Sequence, residues 1–88
     1  MPSYLVETYL ARGQTANRAA GERRARSAAE ELTQKQARVR FDHSIYVPED
    51  EICFFVFGAP SGREAALVAE LAALDSFRVV EAVTSGEE

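Results

Sequence analysis

The sequence contains one cysteine, one histidine, no tryptophan and no long apolar run. A single cysteine excludes an internal disulfide framework and a CxxC zinc or redox site. One histidine excludes any site that takes two histidines from the same chain. No apolar run approaches the length of about 18 residues that a membrane span needs. The amino terminus also lacks the charged-then-apolar order of a signal peptide, so we expect a reduced, cytoplasmic setting.

The remaining composition is that of one small globular domain. The chain has 88 residues, of which 47% are hydrophobic and 27% are charged. This length predicts a single domain over residues 1–88, with residues 84–88 as a flexible tail. A domain of this size has a thin core and often gains stability from a partner.

The net charge of −4 is distributed unevenly along the chain. Residues 12–40 include eight basic and three acidic side chains, whereas residues 41–88 include two basic and ten acidic ones. A basic surface helix explains the first stretch; alternatively, that helix docks an acidic partner. Because no aromatic residue lies among these arginines and the whole chain is acidic, we expect no nucleic-acid partner.

Periodicity predicts six elements in the order β-α-β-β-α-β. The predicted strands cover residues 4–10, 38–47, 52–57 and 77–83, and the predicted helices cover residues 16–36 and 62–74. Thr15 and Ser61 are the predicted N-caps, and Glu64 completes a capping box with Ser61. This order is typical of the ferredoxin-like α+β fold, with a four-stranded antiparallel sheet and both helices on one face.

The third predicted strand is apolar on both of its faces. One face carries Ile52, Phe54 and Val56, and the other carries Cys53, Phe55 and Phe57. Because two helices cover only one side of the sheet, a monomer would expose one of these sets. We therefore expect a homodimer, a dimeric α/β barrel with its two sheets face to face and a ligand cleft between them. The alternative is a monomer with an exposed apolar face.

Polar residues on the uncovered face are the candidates for a ligand site. Alternation places Glu7 and Tyr9 there, and Glu81 lies on the strand expected to neighbour the first. Two carboxylates at short range can bind a cation or share a proton. The alternation does not decide on which side of the sheet His43 lies, because Val39, Phe41 and Ile45, which share its face, suit the helix side equally well.

Each candidate also has an ordinary structural interpretation. His43 is either a metal ligand or general base, or a strand histidine with one hydrogen bond. Cys53 is either a soft metal ligand or a small buried hydrophobe. Tyr9, Phe55 and Phe57 either line the cavity or pack as interface aromatics. The sequence contains no Ser-His-Asp order of a catalytic triad, no glycine-rich phosphate loop and no metalloprotease motif. No catalytic residue is therefore predicted.

Four segments together form a recognisable set: Tyr4–Tyr9, His43–Glu51, Cys53–Pro60 and Val79–Val83. They resemble the nickel-responsive-protein-like family of small bacterial domains, most of which have no assigned function. The resemblance implies a ferredoxin-like homodimer and a site for nickel or another divalent transition metal. It implies as ligands Glu7, His43, Cys53 and Glu81. The histidine that many members have in the second helix has no counterpart between Ala65 and Ala72.

The leading functional hypothesis is a small cytoplasmic binding protein that holds nickel or another divalent transition metal between the sheets of a dimer. One alternative is a dimeric α/β-barrel enzyme, of the cofactor-free monooxygenase or isomerase type, acting on a small molecule in the cavity. Another is a protein-interaction module that uses the basic first helix. A membrane partner is not expected.

Overall fold

The computed structural model describes residues 1–83 and contains the six predicted elements in the predicted order. They are β1 (Ser3–Tyr9), α1 (Thr15–Gln34), β2 (Arg40–Val47), β3 (Ile52–Gly58), α2 (Gly62–Leu71) and β4 (Ser76–Ala82). The tail predicted for residues 84–88 lies outside the described residues. Over residues 1–83, no helix is long and apolar enough to cross a membrane.

The four strands form one antiparallel sheet in the order β2-β3-β1-β4. The central strands are therefore β1 and β3, as predicted, and β2 and β4 lie at the edges. This α+β arrangement is consistent with the ferredoxin-like fold.

The two helices begin close to the predicted residues. α1 begins at Thr15 with Gln14 at the N-cap position, so the prediction of Thr15 as N-cap is wrong by one residue. α2 has the predicted N-cap, Ser61. The Ser61 hydroxyl donates a hydrogen bond to the Glu64 carboxylate and lowers the pKa of that carboxyl. The predicted capping pair is thus present as a contact between side chains, without a hydrogen bond from the Ser61 side chain to the helix backbone.

The core lies between the helices and one face of the sheet. Phe57, Val6 and Val68 are fully buried there, together with the small residues of α1. A Cβ atom on Gly21 would lie 2.8 Å from Cζ of Phe55. Glycine at this position therefore lets α1 approach β3 closely.

A β-bulge at Asp42 divides β2 into two parts with opposite facing. Phe41 pairs with Phe57, yet His43 pairs with Val56, so one extra residue lies between the two pairs. Phe41 consequently lies in the core. His43, Ile45 and Val47, which follow the bulge, lie on the side of the sheet away from the helices. The regular alternation expected over residues 38–47 is therefore wrong, and the facing of His43 is settled by the bulge.

Candidate functional site

The face of the sheet that points away from the helices is called the open face below. Residues paired across antiparallel strands share a face, so the register defines four rows across it. The row at one end contains Arg40, Gly58, Ser3 and Ala82. The central row contains Ile45, Phe54, Glu7 and Arg78. The row on one side contains His43, Val56, Leu5 and Val80, and the row on the other contains Val47, Ile52 and Tyr9. The open face is thus mainly apolar, with a few polar groups at defined positions.

An ion pair between β1 and β4 holds the carboxylate of the open face. Nε of Arg78 lies 3.5 Å from Oε2 of Glu7, whose side chain is only 13% exposed. Opposite charges directly across two strands attract one another, and at a solvent-exposed edge such a pair contributes less than about 1 kcal/mol. Glu7 is therefore present on the open face with a cation already beside it.

The second carboxylate of the predicted pair lies on the other side of the sheet. Glu81 pairs with Tyr4, a core residue, whereas Glu7 pairs with Arg78. The expectation that Glu7 and Glu81 share a face is therefore wrong. The physical reason is the register between β1 and β4, which places the two residues three pairs apart and therefore on opposite faces of the sheet.

The four residues implied as metal ligands do not converge within one chain. Glu7 and His43 lie on the open face, whereas Glu81 and the fully buried Cys53 lie on the helix side. Among the His, Cys, Asp and Glu residues of the described part of the chain, no three are grouped so that they could hold a metal ion. A transition-metal site usually takes at least three protein ligands. One chain alone does not supply them.

Cys53 is fully buried, and this burial raises the pKa of its thiol. We expect slow reaction with iodoacetamide in the native protein at neutral pH, because the thiolate is the nucleophile. Because folding raises the pKa of this thiol, its contribution to the free energy of unfolding is fully present below the pKa of the unfolded state. That contribution is lost as the pH rises through the pKa of the folded state. Alkylation followed by mass spectrometry, native and in urea, measures the difference. Equal rates in the two states would contradict this placement of Cys53.

The aromatic candidates are divided between the two sides of the sheet. Phe57 is fully buried, with its ring 5.3 Å from that of Phe41, and Phe55 is also a core residue. Tyr9 is exposed and its hydroxyl donates to Oε1 of Glu51 at 3.3 Å; the negative charge of Glu51 raises the pKa of Tyr9. These three aromatics and His43 therefore do not line one common cavity between sheets.

Two arginines of α1 border a cavity that the sequence did not indicate. The cavity has a volume of about 320 Å³ and lies beside the end of β1, with Arg18, Arg24 and Phe55 among its lining residues. From the sequence, these arginines belong either to a basic surface helix or to a surface that docks an acidic partner, and neither interpretation includes a cavity. Their spacing around Gly21, three residues on either side, places all three on neighbouring positions of one helix surface. That spacing is the signal that was missed.

Comparison with protein-family models, with curated proteins and with solved structures yields no match to this chain.

Proposed function

We propose that this chain is a homodimeric binding domain in which two copies pack their open faces together, as in a dimeric α/β barrel. The observation that supports this proposal is the apolar character of a sheet face with no helix on it. Ile45 is 45% exposed, and Leu5, Phe54 and Val80 beside it are only half-buried. A contiguous apolar surface of this kind is typical of a protein interface.

The size of the open face suits a second copy of the chain. Four strands spaced about 4.8 Å apart, each about seven residues long at about 3.3 Å per residue, give a face of roughly 440 Å². Two such faces together bury roughly 900 Å² when each is treated as flat. Because the side chains make each face uneven, the buried accessible area is larger than this value. Stable interfaces begin at about 1,000–1,200 Å² in total, so the pairing of two sheets reaches the required range.

The charges of the open face also permit self-association. Its four rows contain one carboxylate, two guanidinium groups and one imidazole. Glu7 is already paired with Arg78, and Arg40 is paired with Asp42 at the bulge. Two copies therefore meet with little net repulsion. Uncompensated like charges across an interface would instead disfavour the dimer.

The ligand of the proposed dimer lies between the sheets, where Glu7 and His43 are the groups able to ligate a transition metal. They lie one row apart on the open face, with β3 between their strands. Each copy supplies one carboxylate and one imidazole, so the dimer supplies four such groups. Nickel or another divalent transition metal, which the resemblance implies, accepts these ligands. A small organic molecule is the alternative.

Native mass spectrometry of the untagged protein, before and after dialysis against nickel, tests the proposal. We expect a species of twice the chain mass that gains nickel in whole-number steps. His43→Ala is expected to remove the gain and keep the dimer, whereas Cys53→Ala, on the other face, is expected to leave the gain unchanged. A dimer that takes up no nickel would reject the metal and retain the dimer. A monomer at all concentrations would overturn the proposal.

A further inference from the structure

The bulge in β2 places side chains where the local sequence does not favour them. Ile45 is 45% exposed on the open face, whereas its polar neighbour Ser44 is buried on the helix side. A regular strand with Phe41 in the core would instead place Ser44 on the open face and bury Ile45. Burial of apolar surface favours that regular register. A contact outside the strand therefore holds β2 in the bulged register.

That contact is made by α1 on Ser44. Arg18 donates from Nε to Oγ of Ser44 at 2.8 Å and from Nη2 to the Ser44 carbonyl at 3.0 Å. The Ser44 hydroxyl donates in turn to Oε2 of Glu22 at 2.6 Å. These three residues are called the Ser44 clamp below. Because the clamp contacts both the side chain and the main chain of Ser44, it fixes the position of the strand as well as the facing of the side chain.

The bonds of the Ser44 clamp are strong ones that the regular register would lose. A guanidinium and a carboxylate meet at a hydroxyl whose residue is only 8% exposed. Hydrogen bonds with a charged partner are roughly twice as strong as those between neutral groups. Arg18 and Glu22 lie four residues apart on α1, so the helix presents both to the same strand. With Ser44 on the open face, both charged groups would lose this partner.

The register of β2 decides which side chains form the open face. In the bulged register, His43, Ile45 and Val47 lie on it. A slip of one residue exchanges the two faces of a strand, so in the regular register His43 would lie on the helix side. Glu7 would then remain alone as a metal-ligating group on the open face. The two proposed ligand groups therefore share a face only in the register that the Ser44 clamp favours.

We propose that Arg18 and Glu22 are positioning residues for His43: through Ser44 they hold β2 in the bulged register, and this register places the imidazole on the open face. They lie on the opposite side of the sheet from the proposed ligand and act on it only through β2. Residues that hold a metal ligand in place change metal affinity by about 10–100-fold when they are removed. The role in ligand binding rests on the proposed function, whereas the placement of His43 depends on neither nickel nor dimerisation.

The double variant Arg18→Leu/Glu22→Leu tests the proposal by NMR in the absence of nickel. Leucine is a good helix former, and removing both charges together leaves neither of them buried without a partner. In the wild-type protein we expect NOE signals between the His43 ring and the methyl groups of Val56, its cross-strand partner. In the double variant we expect these signals to disappear and signals between His43 and the Phe55 ring to replace them, because the regular register pairs these two residues.

Two further variants complete the test. Arg23→Leu/Glu30→Leu makes the same two substitutions at exposed positions of α1, and we expect it to keep the wild-type signals. Deletion of Asp42 from the double variant removes the extra residue of the bulge. Regular alternation from Phe41 then places His43 on the open face without help from α1, so we expect the wild-type signals to return.

The outcomes separate this inference from the proposed metal site. Unchanged His43 signals in the double variant would overturn the inference, and so would their loss in the Arg23 and Glu30 control. If the double variant does not fold, recovery of the fold and of the wild-type signals on deletion of Asp42 supports the inference, and failure to recover overturns it. Where the wild-type protein takes up nickel, the double variant is expected to bind it at least about tenfold more weakly, and equal binding would overturn the positioning role. A wild-type protein that takes up no nickel would reject the proposed metal, while the NOE signals still decide the placement of His43.

Discussion

Ile45→Glu is expected to convert the proposed dimer into a monomer. Ile45 lies in the central row of the open face and is 45% exposed in the single chain, so the variant chain is expected to fold. In the dimer, however, each copy would bury one unpaired carboxylate, which costs several kcal/mol per charge. We expect the dimer dissociation constant to increase by at least about a hundredfold. Sedimentation velocity over a range of protein concentrations measures this change.

The matched control is Leu67→Glu on the outer surface of α2. Leu67 is 49% exposed, so the substitution has the same chemistry at nearly the same exposure on the opposite side of the molecule. We expect its dissociation constant to stay within a few-fold of the wild-type value. If Leu67→Glu dissociates the dimer and Ile45→Glu does not, the interface lies on the helices and the proposed arrangement is wrong.

Phe57→Ala is expected to lower the free energy of unfolding by about 3–5 kcal/mol. Phe57 is fully buried on the helix side of β3, so truncation leaves a cavity that packed neighbours cannot fill. A domain of 88 residues has a total stability of roughly 4–13 kcal/mol, and the variant loses a large share of it. Urea unfolding followed by circular dichroism, at one fixed protein concentration, measures the loss.

Phe77→Ala is the control for this experiment. Phe77 is also a strand phenylalanine, but it is 60% exposed at the start of the edge strand β4. Its truncation is expected to cost less than about 1 kcal/mol. Comparable losses for the two variants would mean that the helix side of β3 is not where the core lies.

The local sequence predicts most of the fold. The six elements, their order and the two faces of β3 follow from periodicity and apolar content, because each signal lies within one segment. The capping pair of Ser61 and Glu64 is equally local. These features need no knowledge of which strand contacts which.

The parts that the sequence did not predict depend on register between distant strands. The bulge at Asp42 reverses the facing of the second half of β2, and the pairing of Glu81 with Tyr4 takes that carboxylate away from Glu7. A shift of one residue exchanges the two faces of a strand, so a site predicted across several strands fails when one register is misjudged. The hydrogen bonds of Arg18 and Arg24 were not predicted because their partners, Ser44 and Ala72, are distant in sequence.

The most direct test of the proposed dimer is an isotope-filtered NOE experiment on a mixture of ¹³C-labelled and unlabelled chains. Only contacts between different copies give signals in this experiment. We predict signals that connect Phe54 with the methyl groups of Leu5, Val56 and Val80 of the other copy. Intermolecular signals that arise instead from Leu67 and Leu71 of α2, or no intermolecular signals at millimolar concentration, would contradict the account.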